Sequence, residues 1–298
     1  MSASKVKVGY LGPDNCTFGF QAFTQAFSPE AGICHERPNP SPFSSHHDIC
    51  DAVGRLDVRY GVVAVENAID GVVAETIRSI ESVSNHLGLF VCGEVTVPIK
   101  LFYMNKSGED KTPKRLLSHP TALGQCRRFV AELQKKGVSV EVRPSTGQAA
   151  KDALTDPDAA ALASQPALDH YGLKRIRPDS MTDHKNSVTR FWILGKQHAR
   201  KSEKGKDKTS FLVNLEQAAS GVLHKTLGVF AQNNIPVLLM YPTPVLGKKW
   251  EYTFLVEVSG HVDDPAMIKA WDEFRDLGIS LQPLKFIGSY PDITSPKS

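Results

Sequence analysis

A neutral hydroxyl and a permanent cation stand side by side in KNSVTRFWIL (185–194), at Thr189 and Arg190. A hydroxyl can give a proton to a departing oxygen. A guanidinium can hold a carboxylate through two parallel hydrogen bonds. From Val188 to Leu194 the run is rich in β-branched and aromatic residues and predicts a strand. Successive strand side chains face opposite ways. Thr189 and Phe191 therefore share one face, and Arg190 looks the other way. Arg190 either reaches a ligand, braces the site from behind or makes a surface salt bridge.

Other chemistry-bearing residues cluster where apolar runs stop. LGPDNCTF follows the first run and carries Thr17, VENAIDG carries Glu66 and Asn67, SHPTALGQC carries Ser118, His119 and Gln125, and RPSTGQAA carries Ser145 and Thr146. In open α/β sheets ligands bind at the carboxyl ends of strands. Helix N-termini facing one cleft favour anions. Each stretch also has a plain reading taken alone. SHP is a turn with a satisfied histidine, STGQAA an ordinary N-cap, and Glu66-Asn67 a polar strand end.

The elements that must position these residues alternate. Strands are predicted at 5–12, 60–67, 89–105, 115–120, 139–144 and 188–194. Helices are predicted at 18–27, 44–56, 72–83, 123–137, 147–154 and 165–172, with a short apolar run at 159–164. This is the pattern of an α/β fold with largely parallel sheets. Beyond the charged stretch HARKSEKGKDKTS (198–210) the order changes to βαββαβ, a ferredoxin-like unit.

Composition excludes several classes. The 298 residues suit about two domains, and 41% hydrophobic with 22% charged content is ordinary for a globular chain. A net charge of +3, part of it from the stretch at 198–210, argues against a nucleic-acid partner; that stretch reads as a solvated linker. No apolar run approaches the roughly 18 residues of a membrane span, and the N-terminus shows no signal-peptide core. Five cysteines without metal-ligand spacing read as reduced thiols in a cytoplasmic protein, with Cys16 a bystander.

Taken together and in order, the motifs resemble the prephenate dehydratase family over nearly the whole chain. YLGPDNCTF (10–18) is similar to the family's YLGPxGTF. AVENAIDGVV (64–73) is similar to its PIENSxxGSV, SHPTALGQC (118–126) to its SHPQALAQC, and STGQAA (145–150) to its STxxAA. DHKNSVTRF (183–191) carries the Thr-Arg-Phe signature. The C-terminal unit resembles the family's ACT domain.

The resemblance implies a fold and a reaction. The fold is a two-lobed, periplasmic-binding-protein-like α/β catalytic domain over 1–198. Lobe one would span about 1–75 and 186–198, and lobe two about 76–185. A linker at 199–208 would lead to a ferredoxin-like ACT domain at 209–293. The reaction is loss of carbon dioxide and water from prephenate, giving phenylpyruvate in phenylalanine biosynthesis. Thr189 would donate or relay the proton to the leaving hydroxyl, without metal or organic cofactor. Thr17, Glu66, Asn67, Ser118, His119, Gln125, Ser145, Thr146, Arg190 and Phe191 fall at positions tied to substrate binding. Glu66 suits an orienting role, because a carboxylate beside a dianion repels it. Gly221, Val222 and Leu223, in SGVLHKTLGVF (220–230), would face a phenylalanine effector. A homodimer or homotetramer is expected, with no nucleic-acid or membrane partner.

Departures from the family pattern keep alternatives open. Ala68, Val72, Gly19 and Thr121 replace hydrogen-bonding residues, and YPTP (241–244) lacks the usual Glu and Arg of the effector strand. The substrate could be arogenate, with an amine for the ketone. A non-aromatising decarboxylase or a non-catalytic binding protein are further readings, and the intact Thr-Arg-Phe argues against both.

Overall fold

The computed structural model describes residues 5–12, 15–29, 31, 33–34, 36–202, 206–214, 221–245, 248–276 and 284–291. Pro13 and Asp14 of the first loop, 203–205 of the linker and the end of the proposed 209–293 domain lie outside them. The chain forms three sheets. The first runs β2 (Arg37–Phe43), β1 (Lys5–Leu11), β3 (Tyr60–Asn67), β11 (Val188–Gly195) and β5 (Phe90–Pro98), with short β4 (Gly71–Val72) on β3. β2, β1 and β3 are parallel, and β11 runs antiparallel to both β3 and β5.

Its two faces follow the period of two along each strand. Val62, Val95, Val97, Phe191 and Ile193 pack with α1 (Phe18–Ala26). Val63, Val65, Trp192 and Leu194 pack on the other face with α2 (His46–Gly54) and α3 (Ala74–Leu87).

The second sheet runs β10 (Lys174–Arg175), β6 (Phe102–Asn105), β9 (Ala159–Ala163), β7 (Arg115–Ser118) and β8 (Ser139–Val142). α6 (Thr146–Thr155) and α7 (Gln165–Tyr171) cover one face, with small residues Ala149, Ala150, Ala153 and Ala167 allowing close approach. α4 (Pro120–Gly124) and α5 (Arg127–Lys135) lie on the other side, where Ala122, Phe129 and Leu133 meet Leu116 and Tyr103. The chain passes between the two sheets at 99–101 and again at 176–187. This is a two-lobed α/β architecture.

Two expectations need correction here. The run at 89–105 is not one strand: it breaks after Pro98, and its first part is an edge of the first sheet. Residues 90–98 therefore belong to lobe one, as does α3, rather than to a second lobe starting at 76. The strand β2 was missed because RPNPSPF carries three prolines. Pro38, Pro40 and Pro42 fall at alternate positions of an edge strand. Their missing N–H groups thus face away from β1, and Arg37, Asn39 and Ser41 retain the amides that pair.

The third sheet is antiparallel in the order β13 (Val237–Pro244), β14 (Tyr252–Ser259), β12 (Asp207–Asn214), β15 (Leu284–Pro291), with α8 (Val222–Gln232) and α9 (Pro265–Asp276) on one face. This is a ferredoxin-like strand order. Its first strand begins at Asp207, inside the stretch read as linker, and Ala199 N–H already donates to Ser289 at 3.0 Å. The charged stretch is not simply solvated either: Lys201 pairs with Asp264 and Lys208 with Glu94.

Leu212, Leu255, Ile287 and Tyr290 leave the opposite face of this sheet to join Trp192, Leu194 and Val91 in one core. Contact there is backbone to backbone. A Cβ on Gly288 would lie 2.2 Å from the Val91 carbonyl oxygen. No helix among the described residues is long and apolar enough to cross a membrane.

Candidate active site

A cavity of about 1190 Å³ lies between the first two sheets. It opens at the carboxyl ends of β1, β2 and β3 and at the amino end of antiparallel β11, where the sequence places its polar clusters. Thr17, Asn67, His119, Gln125, Ser145, Thr146, Thr189 and Phe191 all line it.

Thr189 sits opposite Asn67 in the β11–β3 register. Its Oγ1 accepts a hydrogen bond from Asn67 Nδ2 at 2.8 Å. The Asn67 amide cannot turn, because its Oδ1 accepts from the Ile69 and Asp70 backbone N–H groups at 2.9 and 3.1 Å. The hydroxyl's acceptor side is thus occupied, and its own proton remains for a ligand in the cavity. Thr189 is only 8% exposed, so that ligand must come through the cleft.

Helix starts surround the same space. Thr17 caps α1 by accepting from Phe20 N–H at 3.2 Å, Ser145 caps α6 by accepting from Gln148 N–H at 2.9 Å, and α2 begins at the cavity wall with His46. Their unpaired N–H groups and dipoles favour negative charge. Among the described lining residues none is Lys or Arg, and the two carboxylates are Asp48 and Asp70. His119 Nδ1 accepts from Thr121 N–H at 3.3 Å, and burial lowers its pKa. The donors that face the cavity are thus backbone N–H groups and neutral side chains.

Gln125 crosses the cleft: its Nε2 donates to Asp70 Oδ2 at 2.9 Å, linking α4 of lobe two to the β3–β4 turn of lobe one. Gly19 stands where the family carries a hydroxyl, and the reason is steric. A Cβ there would lie 2.8 Å from the Leu11 carbonyl oxygen.

Three residues expected to bind substrate are not at the cavity. Ser118 is wholly buried and donates to the Leu162 carbonyl at 2.6 Å, fastening β7 to β9. Arg190 faces the opposite side of β11 from Thr189, as strand alternation requires. Its guanidinium meets Glu66 at 2.8 Å, Glu94 at 2.6 Å and Glu257 at 2.8 Å. Glu66 is consequently a partner of Arg190 and is absent from the cavity wall.

Lys208 joins this cluster through Glu94 at 2.6 Å, and Tyr290 donates to Glu257 at 2.9 Å. Burial opposes the charge on Arg190, but Glu257 and Glu94 more than offset it and push its pKa well up. Burial also raises the Glu94 carboxyl, against the pull of Arg190 and Lys208. The side chain behind the Thr189 hydroxyl is thereby tied to the third sheet.

Sequence reading missed Glu94, Glu257, Asp70 and His46. The first two carried a signal, since each is a lone carboxylate inside an apolar strand, FVCGEVTVP and YTFLVEVS. Such a group is buried only with a partner. In the third sheet, Gly221 takes a left-handed conformation (φ 87°) just before α8 and Leu223 is half-buried, while the Val222 side chain lies outside the described residues.

Residues 8–199 match the model of the prephenate dehydratase family. The chain is 33% identical over 288 residues to the bifunctional chorismate mutase/prephenate dehydratase of Aquifex aeolicus, covering 96% of this chain and 74% of that one. It is 29% identical over 296 residues to the prephenate dehydratase of Bacillus subtilis, covering 96% and 99%. Among solved structures, the Arthrobacter aurescens prephenate dehydratase in complex with L-Phe superposes with a TM-score of 0.78 at 23% identity, over 97% of this chain and 90% of that one. A chain described as GqqA, a novel type of quorum quenching acylase, superposes at 0.76 with 24% identity, over 97% and 98%. At those identities the structural likeness speaks for the fold alone. The family match and the near full-length relatives go further: this chain belongs to the prephenate dehydratase family, whose members are carbon–oxygen lyases.

Proposed function

We propose that the protein converts prephenate to phenylpyruvate, carbon dioxide and water in phenylalanine biosynthesis, with Thr189 as the proton donor. The observation that carries this reading is the Asn67–Thr189 hydrogen bond at 2.8 Å, in which the hydroxyl accepts and so keeps its own proton for a ligand. As the bond from the ring to its carboxylate breaks, that electron pair enters the ring. The bond to the ring hydroxyl breaks with its pair on oxygen. Thr189 hands its proton to that oxygen and is reprotonated from water. The ring becomes aromatic, which drives the step. General-acid help of this kind is worth roughly 10²–10⁴-fold.

His119, Ser145 and Thr146, with the backbone N–H groups at the starts of α1 and α6, would hold the two carboxylates of the substrate, while Thr17, whose hydroxyl donates to the Leu11 carbonyl at 2.9 Å, would fix the start of α1. Asn67 orients Thr189, Gln125 closes the cleft over the ligand, and Phe191 packs beside the ring. Glu66 and Arg190 act from behind the strand. We extend the reading to regulation: the Arthrobacter relative is a complex with L-Phe, and the region of Gly221, Val222 and Leu223 is the proposed place for an amino-acid effector here. The edge strand β13 exposes Val237, Leu238 and Met240. We take it as the surface for a homodimer or homotetramer, in a cytoplasmic enzyme.

The test is product analysis. The wild-type protein should form phenylpyruvate from prephenate, detected by its ultraviolet absorbance in alkali, and Thr189→Ala should not. Binding without product would leave a non-catalytic module. A non-aromatic product that keeps its hydroxyl would identify a decarboxylase.

A further inference from the structure

We propose that His46 selects the keto-acid side chain of the substrate, donating a hydrogen bond from Nε2 that an amine in the same place cannot accept. The proposal rests on the dehydratase reading above. His46 is the first residue of α2, lines the cavity and is only 6% exposed. No hydrogen bond satisfies its Nδ1, which is sealed from solvent; Nε2 is the nitrogen that is not sealed. Buried polar atoms without partners are rare in native proteins, and a sealed, unpartnered Nδ1 bears on which ring nitrogen carries the proton. His119, also at a helix start on this cavity, shows the contrast, because its Nδ1 accepts from Thr121 N–H.

The enclosure fixes the tautomer. An imidazole in a closed space leaves a bare lone pair there more cheaply than an N–H without an acceptor. The proton of the neutral ring therefore sits on Nε2. Burial pushes the His46 pKa down, with Glu75 pulling the other way, so the ring is neutral near pH 7. His46 thus presents a donor to the cavity, and turning it into an acceptor would strand an N–H at Nδ1.

Sheet order gives the distance. β2, which leads into His46, is three strands from β11 in the order β2-β1-β3-β11. At about 4.8 Å per strand the two line the cavity about 14 Å apart. With the leaving hydroxyl at Thr189, the opposite carbon of the ring points toward β1 and β2. That carbon bears the three-carbon side chain. In prephenate the side chain ends in a ketone and a carboxylate, all acceptors. In arogenate the ketone is an ammonium, which offers only donors.

The experiment compares kcat and KM for both substrates in wild type, His46→Phe and His46→Gln, with thermal unfolding to show that each variant folds. Phenylalanine removes the donor, and glutamine restores a donor and adds an acceptor. His46→Phe should raise KM for prephenate about tenfold or more while kcat changes less, and the preference for prephenate over arogenate should fall by a similar factor. His46→Gln should keep the prephenate KM close to wild type and improve arogenate. A folded His46→Phe with an unchanged preference would overturn the proposal. Calorimetric binding of phenylpyruvate, which keeps the side chain but not the ring carboxylate, separates this test from the reading beneath it. If wild type turns over neither substrate, the dehydratase reading fails. Weaker phenylpyruvate binding by His46→Phe, recovered in His46→Gln, would still support His46 as the side-chain contact, and equal binding by all three proteins would reject it.

Discussion

The guanidinium of Arg190 meets the carboxylate of Glu257 at 2.8 Å, so the strand that carries Thr189 is held from behind by the C-terminal sheet. The same guanidinium takes Glu66 from β3 and Glu94 from β5. Three carboxylates converge on one arginine, with Lys208 as the second cation. Removing one partner of a buried ion pair is far more damaging than the net worth of the pair, at about 3–5 kcal/mol.

Arg190→Met should therefore destabilise the protein by about 3–5 kcal/mol. Glu94 would stay buried with Lys208 as its remaining cation, and burial, which already raises its pKa, would go less opposed. A group shifted up in the folded state favours folding at low pH, and that contribution is lost as pH rises through the folded pKa. The Arg190→Met deficit should shrink as pH is lowered from 7 toward 5. Denaturant melts at both pH values check this, and a pH-independent deficit would count against a charge origin.

Thr189→Ala should lower kcat by roughly 10²–10⁴-fold with a smaller change in KM. Thr189→Ser, which keeps the hydroxyl, should recover most of the rate. Steady-state phenylpyruvate formation is the measurement. An alanine variant within tenfold of wild type would remove Thr189 from the chemistry.

Asp70→Asn keeps a hydrogen-bonding group opposite Gln125 and removes one negative charge from the cavity wall. Repulsion of a dianionic ligand should fall. KM for prephenate should drop severalfold at low ionic strength and converge with wild type as salt is raised. An unchanged KM at every salt concentration would mean that Asp70 does not face the ligand.

Gly288→Ala should loosen the C-terminal sheet from lobe one, since the new Cβ would press on the Val91 main chain, which cannot rotate away. Overpacking of this kind costs about 1–3 kcal/mol. Limited trypsin digestion should then cut faster within the lysine-rich segment 200–208. Cleavage at the wild-type rate would show that the two sheets separate and adjust freely.

At the surface of lobe two, Glu132 is held down to about 2 by hydrogen bonds from Arg177 and Lys136. A carboxyl with a depressed pKa stabilises the fold above its unfolded value, near 4.5, and that contribution fades as pH falls toward 2. Glu132→Gln should make acid unfolding slightly less steep in that window. The effect is small because the pair is exposed and screened. Parallel acid titrations of the two proteins measure it.

Local periodicity made parts of this molecule legible. Alternation along VTRFWIL assigns Thr189 and Arg190 to opposite faces, and the hydroxyl caps of α1 and α6 are readable from Thr17 and Ser145. Partners distant in sequence were not readable. Nothing near Phe90–Pro98 tells that it pairs with β11, about a hundred residues later, because strand membership is a property of the whole sheet. Ser118 belongs to a recognisable motif, yet which way its Oγ turns depends on Leu162 across the sheet. Prolines hid β2, whose spacing becomes meaningful only once one side is known to be an edge. His46 lacked any sequence signal, since one histidine at a helix start looks like any other.

The loop after β1 has a mechanical consequence. Cys16 comes from lobe one but is packed in the core of lobe two, where its carbonyl accepts from Ser164 Oγ at 2.7 Å. The lobes are thus stitched on this side as well as at the two crossings of the chain, while the Gln125–Asp70 hydrogen bond spans the cleft itself. A clamshell on two hinges swings wide, whereas one sewn along its side can only breathe. Ligand exchange should then proceed through small openings at the far rim, near Asp70 and Gln125, and a bulky residue at position 16 would pry the seam apart before it touched the chemistry.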